Sequence, residues 1–251
     1  MKWLLLRGLT REQRHWGPFR EKFDAAFGSE NVHCLDHIAV GTEAGRRPVY
    51  SIAAMTADLR ARWLQLRGSD TGPWAIVSLS MGSMVSLSWC ASFAKDFDYQ
   101  FLMNVSSSKD STPWQRILLS NVPTFTALAR AEDKVLRERK ILDMCTNMLS
   151  DETKNELAET WAKIALPKAQ IRRVAVAQLV ASSRFRRPSK VTVPTLAMAS
   201  AADRLVDPTC TMRIAEALGL MLEIHPTAGH ELAIDDPDWV IARIQAFLKN
   251  H

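Results

Sequence analysis

The sequence predicts an α/β fold, with a mainly parallel sheet of about six strands flanked by helices. Short apolar runs, such as residues 3–6 and 75–78, alternate with longer segments in which apolar residues recur at helical spacing. This alternation is typical of parallel sheets, because each crossover between parallel strands needs a connection as long as a helix. A chain of 251 residues with 47% hydrophobic residues can bury a sizeable core in one such domain.

The predicted elements follow one another in a regular order along the chain. Apolar runs bounded by turn residues predict strands, and these lie at 3–6, 32–35, 75–78, 101–105, 194–199 and 220–224. Apolar residues at intervals of three and four predict helices, and these lie at 18–27, 52–66, 82–94 and 238–248. Ser51 precedes the second of these helices and is a favoured N-cap residue.

The alternation is interrupted between residues 111 and 188. Leucines and Trp161 recur there at helical spacing, and the segment has no strand pattern. The sequence therefore predicts an all-helical insertion within the sheet domain. The expected division is 1–110 for the first part of the core, 111–188 for the insertion and 189–251 for the second part of the core.

A serine lies at the predicted turn between the third strand and the helix that follows it. Ser80 is preceded at two residues' distance by Ser78, where such a motif usually has glycine, and it is followed at the same distance by Gly82. A strand–turn–helix of this kind exposes the serine hydroxyl above the end of the sheet, and small flanking residues let strand and helix pass closely. Because serine and glycine are common, the motif gains meaning only from a base and an acid elsewhere in the chain.

An acid and a base follow Ser80 along the chain, each just after a predicted strand. Asp203 lies beyond strand 194–199, and His230 lies in a loop beyond strand 220–224. Histidine can accept the serine proton, and aspartate can hold the tautomer of that histidine. Asp207 lies farther past its strand, and the acidic run at 235–238 is typical of a turn that caps the last helix. We therefore predict a catalytic triad of Ser80, His230 and Asp203.

The order serine, aspartate, histidine, each on a loop after a strand, resembles the α/β-hydrolase family. The resemblance covers nearly the whole chain and is to small serine esterases whose helical insertion forms a cap, or lid. It implies the α/β-hydrolase fold and an oxyanion hole made by the backbone N–H groups of Met81 and Leu9. The family's two leading antiparallel strands have no counterpart in this sequence. We therefore expect a trimmed sheet of about six parallel strands.

The loop after the first strand departs from the family pattern at one residue. The family has His-Gly-x, whereas this chain has Arg7, Gly8 and Leu9. Arg7 either binds an anionic group near the site or pairs with an acidic side chain such as Asp36. We expect the ion pair, because buried charges are normally paired.

Positive charge is concentrated in the predicted insertion. Residues 114–190 contain 15 lysines and arginines against 8 acidic residues, a balance of +7, whereas the whole chain carries +5. Such clustering is typical of a solvated helical surface or of a docking surface for an acidic partner. The chain is also similar to pimeloyl-carrier-protein methyl ester esterases of biotin synthesis, which implies an acidic acyl carrier protein as partner. Its candidate docking residues are Arg172, Arg173, Arg186 and Arg187.

Several other classes of protein are not supported. The four cysteines lie far apart without a C-x-x-C pair, which indicates neither a disulfide framework nor a zinc site. The sequence has no phosphate-binding glycine loop and no nucleic-acid-binding pattern, so we expect no cofactor, no metal and no nucleic acid. The first apolar run is too short for a signal peptide, and no stretch approaches the roughly 18 apolar residues of a membrane span. We expect a cytoplasmic protein.

These observations predict a serine carboxylesterase that hydrolyses a small-molecule ester through an acyl-enzyme. A lactonase, a thioesterase or a carbon–carbon hydrolase would use the same triad, because this fold hosts all of these reactions. A third alternative is a hydrolase-like protein that binds a small molecule without turning it over. The unusual Arg7 and Ser78 keep that alternative open, whereas the complete set of three triad residues argues against it.

Overall fold

The computed structural model describes residues 1–250, which form a six-stranded sheet. The strands are β1 (Lys2–Leu6), β2 (Val32–Cys34), β3 (Trp74–Leu79), β4 (Tyr99–Met103), β5 (Thr195–Ser200) and β6 (Met221–His225). Their order across the sheet is β2-β1-β3-β4-β5-β6, and every neighbouring pair is parallel. The predicted sheet of about six parallel strands is therefore confirmed.

Helices connect these strands. Over the described residues they are α1 (Gly17–Phe27), α2 (Ile52–Arg67), α3 (Met81–Ser92), α4 (Pro113–Arg116), α5 (Val122–Arg130), α6 (Lys134–Cys145), α7 (Asp151–Ile164), α8 (Lys168–Arg184), α9 (Thr209–Leu218), α10 (Leu232–Asp235) and α11 (Pro237–Lys249). Short 3-10 helices lie at Gln13–Trp16, Ser29–Asn31, Gly41–Glu43 and Leu119–Asn121. Within residues 1–250, no helix combines the length and the apolar character needed to cross a membrane.

Each face of the sheet has its own apolar cluster, because successive side chains of a strand point to opposite faces. Leu4, Leu6 and Ile76 pack on one face with residues of α2, α3 and α9. Trp3 and Leu5 pack on the other face with residues of α1 and α11. Burial on both faces explains why the strands are nearly continuous apolar runs in the sequence.

The segment between β4 and β5 is helical and contains no strand in its described residues. It packs against the sheet domain at three apolar clusters. Ala181 of α8 joins the cluster beneath α2 and α3. Trp161 of α7 packs against Ile234 of α10, and Val174 of α8 packs against Val40 in the loop after β2. These contacts attach both α7 and α8 to the loops at the carboxyl edge of the sheet.

The fourth strand ends at Met103, two residues before its predicted end at Val105. Asn104 has a positive φ of 48°, which turns the chain out of the extended conformation. Val105 is fully buried although it lies outside the strand. Because Val105 is apolar and buried, it extended the apolar run in the sequence beyond the true end of the strand.

Candidate active site

Ser80 lies at the turn between the end of β3 and the start of α3. Its backbone has φ 55° and ψ −119°, a conformation that costs a non-glycine residue on the order of 1–3 kcal/mol. The turn brings two backbone segments very close together, since a Cβ on Gly82 would lie 2.5 Å from the carbonyl oxygen of Arg7. Ser78 fits in place of the usual glycine because its buried hydroxyl donates to the carbonyl oxygen of Phe101 at 3.1 Å.

His230 lies between the serine and an aspartate. Its Nε2 is 2.9 Å from Ser80 Oγ, and its Nδ1 is 2.7 Å from Asp203 Oδ2. Because a carboxylate only accepts, Nδ1 carries the proton of the neutral imidazole, and Nε2 is left to accept from the serine hydroxyl. The structure thus brings the three residues of the predicted triad into one chain of hydrogen bonds. His230 and Asp203 are both buried, which strengthens the contact between them.

Asp203 is oriented by the loop that follows β5. Its Oδ1 accepts from the backbone N–H groups of Leu205 at 2.8 Å and Val206 at 3.0 Å. These bonds occupy one carboxylate oxygen and leave the other for His230. The orientation of the carboxylate is therefore set by residues adjacent in the chain.

The pKa of His230 is raised above its ordinary value. Burial by itself lowers this pKa, but the charge and the hydrogen bond of Asp203 outweigh burial. The carboxylate of Glu231 also raises the pKa, and the guanidinium of Arg7 opposes it. A raised pKa makes His230 a stronger base toward the serine hydroxyl.

The rival acids have other partners. Asp207 accepts from the backbone N–H and the hydroxyl of Thr209 at the start of α9. Asp236 caps α11, as the sequence predicts for this acidic run. Asp235 accepts from the N–H of Gly229 at 2.6 Å. Each of these carboxylates thus supports a turn or a helix terminus.

The loop after β1 passes beside Ser80. A Cβ on Gly8 would lie 3.2 Å from Cβ of Ser80, so Gly8, the residue before Leu9, adjoins the serine. Met81 is the first residue of α3, where the backbone N–H has no acceptor within the helix. Of the two residues predicted to form an oxyanion hole, Met81 thus follows the serine directly, and Leu9 follows a residue that adjoins it.

Contacts from distant parts of the chain hold this loop. Thr10 has a positive φ of 60°, and its N–H donates to Gln178 Oε1 at 2.6 Å. His37 Nε2 donates to the carbonyl oxygen of Arg7 at 2.8 Å. Sequence reasoning missed Gln178, because this residue of α8 lies 168 positions from Thr10 and nothing local marks it.

Arg7 forms an ion pair, but its partner is not Asp36. Arg7 Nη2 donates to Glu231 Oε1 at 2.9 Å and to Oε2 at 2.7 Å, and the guanidinium lies 4.7 Å from the ring centroid of Trp16. Asp36 accepts from the backbone N–H of Gln13 instead. The suggested partner was wrong because the loops after β1 and β6 meet only in the folded molecule.

Asn104 is a further residue of this site that sequence reasoning missed. Its Nδ2 donates to the carbonyl oxygen of His230 at 2.8 Å and to Ser200 Oγ at 3.0 Å, and its Oδ1 accepts from the N–H of Ser200 at 2.9 Å. The side chain therefore links the end of β4 to the loop that carries His230. In the sequence, Asn104 lies inside the predicted strand 101–105, and a polar residue within this apolar run was the signal available.

The four candidate docking arginines differ in their surroundings. Arg172, Arg173 and Arg186 are exposed. Arg187 is nine-tenths buried, and its Nε donates to Asp110 Oδ1 at 2.9 Å. Arg187 therefore differs from the other three candidates, because its guanidinium is paired within the fold.

A surface cleft of about 300 Å³ lies between α2, α3 and the end of α8. Its lining residues include Ala91, Ala181, Arg184 and Arg186. Ser80 is not among its lining residues, so the cleft is distinct from the candidate active site. In the part of the chain that the structure describes, no group of three or more histidine, cysteine, aspartate or glutamate residues is arranged to hold a metal ion.

Comparison with known families places the chain in a broad group of hydrolases. The sequence pattern of the family described as serine aminopeptidase, S33, matches residues 25–237. The matched range contains Ser80, Asp203 and His230, and excludes the loop after β1. A comparison with curated proteins finds no match.

Solved structures share the fold over almost the whole chain. A 2-hydroxy-6-oxo-6-phenylhexa-2,4-dienoate hydrolase from Rhodococcus sp. strain RHA1 is 17% identical, with a TM-score of 0.78 over 99% of this chain and 90% of the other. An enol-lactonase from Burkholderia xenovorans LB400 is 16% identical, with a TM-score of 0.74 over 99% and 91%. A thermophilic esterase from Thermogutta terrifontis is 18% identical, with a TM-score of 0.70 over 100% and 90%. The predicted α/β-hydrolase fold is thereby confirmed.

Proposed function

We propose a specific reaction for this chain, which belongs to the serine aminopeptidase S33 family and is a hydrolase of the α/β-hydrolase fold. The reaction is hydrolysis of a carboxylic ester through an acyl-enzyme on Ser80. The observation that carries this proposal is the chain of contacts from Asp203 to His230 to Ser80, at 2.7 Å and 2.9 Å. A serine hydroxyl is a weak nucleophile until a positioned base removes its proton, and His230 supplies that base.

The first half of the reaction acylates the serine. Ser80 Oγ attacks the ester carbonyl carbon while its proton passes to His230 Nε2. The carbonyl electron pair moves to the oxygen, where the N–H groups of Leu9 and Met81 stabilise the negative charge. The bond to the alcohol oxygen then breaks, and His230 returns its proton to the departing alkoxide. Asp203 holds the tautomer and stabilises the imidazolium throughout.

The second half releases the acid. His230 removes a proton from water, and the resulting hydroxide adds to the acyl carbon. The new tetrahedral intermediate uses the same two N–H groups. The bond to Ser80 Oγ then breaks, and the serine recovers its proton from His230 as the carboxylic acid leaves. Loss of a single oxyanion donor typically costs on the order of 10²–10³ in kcat.

Two observations favour an enzyme over a non-catalytic binding protein. Family membership is one. The other is the strained backbone of Ser80, with its positive φ, which is a cost that simple binding of a small molecule does not require. Lactone, thioester and carbon–carbon bond hydrolysis need the same three side chains, so the choice among them lies with the substrate assay.

We also propose that residues 111–188 act as a cap and that this cap docks an acidic acyl carrier protein. The model for this role is the pimeloyl-carrier-protein methyl ester esterase of biotin synthesis. The exposed Arg172, Arg173 and Arg186 support it. We propose the cytoplasm as the compartment, and the four free cysteines fit its reducing environment.

A panel of model substrates tests the proposed reaction. We expect hydrolysis of p-nitrophenyl esters by the wild type, with kcat/KM reduced by at least about 10³-fold in Ser80→Ala. A lactone, a thioester and an alanine p-nitroanilide, tested in parallel, measure the competing activities. A preference for one of these over every ester, with the same loss in Ser80→Ala, would replace the ester proposal and keep the mechanism. Ester hydrolysis that persists in Ser80→Ala would refute both.

Salt dependence tests the carrier proposal separately. Docking between opposite charges weakens as ionic strength rises, whereas hydrolysis of a small neutral ester does not depend on it. We expect KM for a carrier-bound ester to rise with salt in the wild type, and the rise to shrink when Arg172, Arg173 and Arg186 are changed to glutamine. An equal salt response for the carrier-bound and the free ester would exclude docking on this surface.

A further inference from the structure

A second, smaller cavity lies beside the loop that follows β1. Its volume is about 50 Å³, and it is bounded by that loop, by Gly41 and by residues of α6 to α8. Its polar lining consists of Thr10, Arg11, Glu12, His15, Arg137 and Glu138. A water molecule needs roughly 10–15 Å³ of such volume, so the cavity has room for a few waters or for one carboxylate-sized group.

Two buried arginines of this cavity share one glutamate. Arg11 Nη1 donates to Glu138 Oε2 at 2.5 Å, whereas Arg137 Nε lies 4.0 Å from Glu138 Oε1. Arg137 Nη2 donates to the carbonyl oxygen of Leu166 at 3.3 Å, which is a neutral acceptor. The side chains of Arg11, Arg137 and Glu138 are 6%, 8% and 5% exposed, so water screens their charges poorly. Buried charges are normally paired, and here one positive charge has no close carboxylate.

The other ionisable groups around the cavity do not neutralise that charge. Glu12 is already paired with Arg14, whose Nε lies 2.9 Å from Glu12 Oε1. Burial holds the pKa of His15 well below its ordinary value, so this imidazole is neutral at pH 7. Behind the cavity, Arg7 is matched by Glu231. Counted together with Arg14, the charged groups around the cavity are the three arginines Arg11, Arg14 and Arg137 against the two carboxylates Glu12 and Glu138, which leaves a surplus of one positive charge.

An unpaired hydrogen-bond donor accompanies the surplus charge. Arg11 Nη2 is buried and has no acceptor among the residues that the structure describes. A buried donor without a partner is unfavourable, because it has lost its hydrogen bonds to water and gained none in the protein. One anion that accepts hydrogen bonds would satisfy this donor and the surplus charge together.

We propose that this cavity binds one carboxylate group. Arg11 and Arg137 provide the donors, and the volume matches a single carboxylate. Thr10 lines the cavity and is the neighbour of Leu9, so the site adjoins the loop of the proposed oxyanion hole. The carboxylate belongs either to the acyl chain of the substrate or to a free acid, and only the first of these rests on the proposed esterase function.

Formate is the probe for binding, because it is the smallest carboxylate. We expect sodium formate to raise the Tm of the wild type above its value in sodium chloride of equal ionic strength, since a ligand that binds the native state stabilises it. The same rise is expected in Ser80→Ala and in Arg47→Gln, which removes an exposed arginine elsewhere. It should disappear in Arg137→Gln. A rise of equal size in Arg137→Gln, or no rise in the wild type, would overturn the proposal.

A second variant guards against misfolding of Arg137→Gln. Ala165 lines the cavity, and Ala165→Leu fills it while both arginines stay in place. We expect the response to formate to be lost in this variant as well. A full response in Ala165→Leu would show that formate binds elsewhere.

A pair of esters distinguishes the two sources of the carboxylate. The mono-p-nitrophenyl ester of glutaric acid carries a terminal carboxylate, and p-nitrophenyl valerate is its neutral counterpart of equal length. If the substrate supplies the carboxylate, Arg137→Gln lowers kcat/KM for the glutarate ester relative to the valerate ester. We expect the ratio of glutarate to valerate to fall by about tenfold or more, as for the loss of a charged hydrogen bond. If a free acid supplies it, this ratio stays unchanged and formate alters valerate hydrolysis in the wild type but not in Arg137→Gln. Since the formate experiment in Ser80→Ala needs no turnover, failure of the esterase proposal would leave the binding result intact.

Discussion

The loops at the carboxyl edge of the sheet and the helical segment 111–188 are held by different kinds of contact. At the edge, Asp203 is oriented by backbone N–H groups two and three residues further along the chain. The segment instead reaches the edge through contacts between residues far apart in the chain, such as Gln178 Oε1 on the N–H of Thr10 and the carbonyl oxygen of Cys145 on the N–H of Glu231. The edge therefore sets the chemistry through local geometry, while the segment adjusts it from a distance. Substitutions at the edge should cost orders of magnitude in kcat/KM, and substitutions in the segment on the order of tenfold.

The largest effect is expected at Asp203. In Asp203→Asn the amide no longer fixes the productive tautomer of His230, and kcat/KM should fall by about 10⁴-fold. Asp207→Asn is the matched control, because Asp207 is the rival acid and its carboxylate accepts from the N–H and hydroxyl of Thr209 at the start of α9. We expect that variant to stay within about threefold of the wild type, since the loss of such a contact at a helix start typically costs only about 1 kcal/mol of stability. Rates of ester hydrolysis measure the effect of both substitutions. A greater loss of kcat/KM in Asp207→Asn than in Asp203→Asn would show that Asp207, and not Asp203, is the acid of the triad.

A smaller effect is expected at Asn104. Without its side chain, the carbonyl oxygen of His230 and the N–H of Ser200 lose their partner. A displacement of the histidine by about 1 Å would cost about 10²-fold in kcat. Gln100→Ala is the control, since Gln100 is also buried on β4 but bonds to Ser86 and Thr195 near the opposite end of that strand. Similar kcat losses in both variants would indicate general destabilisation in place of a positioning role.

Gln178 tests the segment directly. Its amide accepts from Thr10 in the loop of the proposed oxyanion hole. One net hydrogen bond is worth about 0.5–1.5 kcal/mol, so Gln178→Ala should lower kcat/KM roughly 2- to 12-fold. Gln170→Ala is a matched control on the same helix, because Gln170 donates to the carbonyl oxygen of Ala44, which lies in the loop after β2 and not in the loop after β1. A 10³-fold loss of kcat/KM in Gln178→Ala would show that the segment contributes as much to the rate as the edge does, which would contradict the distinction between them.

The pH dependence should show the smallest effect. His230 acts as a base only when neutral, and its pKa is raised, so kcat/KM should fall as pH drops through a value above 6.5. In Glu231→Gln one carboxylate that raises this pKa is gone, and the positive charge of Arg7 is unopposed. The acidic limb of the pH profile of kcat/KM should therefore move to lower pH. A limb that stays in place or moves to higher pH would contradict the assigned electrostatics.

The difference between the two regions also explains what the sequence could predict. Ser80, Asp203 and His230 each follow a buried strand, and strands are visible locally as apolar runs bounded by turns. The six-stranded parallel sheet follows from the same local pattern. The site residues that lie next to a strand end could therefore be predicted from the sequence.

Contacts between distant elements were not accessible. Arg7 was expected to pair with an acidic residue, but Glu231 lies 224 positions away and no local pattern points to it. Arg187 was classed with the exposed arginines, because charge clustering does not show which guanidinium is buried against Asp110. Asn104 lay inside the predicted strand 101–105, and its bond to the His230 loop depends on how the strands are arranged in the sheet.

The most direct test of the central claim is the site of covalent labelling by a fluorophosphonate. The reagent reacts with a serine only when a neighbouring base activates it. We expect intact mass spectrometry to show a single adduct on the wild type, and peptide mapping to place it on Ser80. The adduct should be absent from Ser80→Ala and should form much more slowly in Asp203→Asn. An adduct on another serine, or equal labelling of Ser80→Ala, would contradict the account.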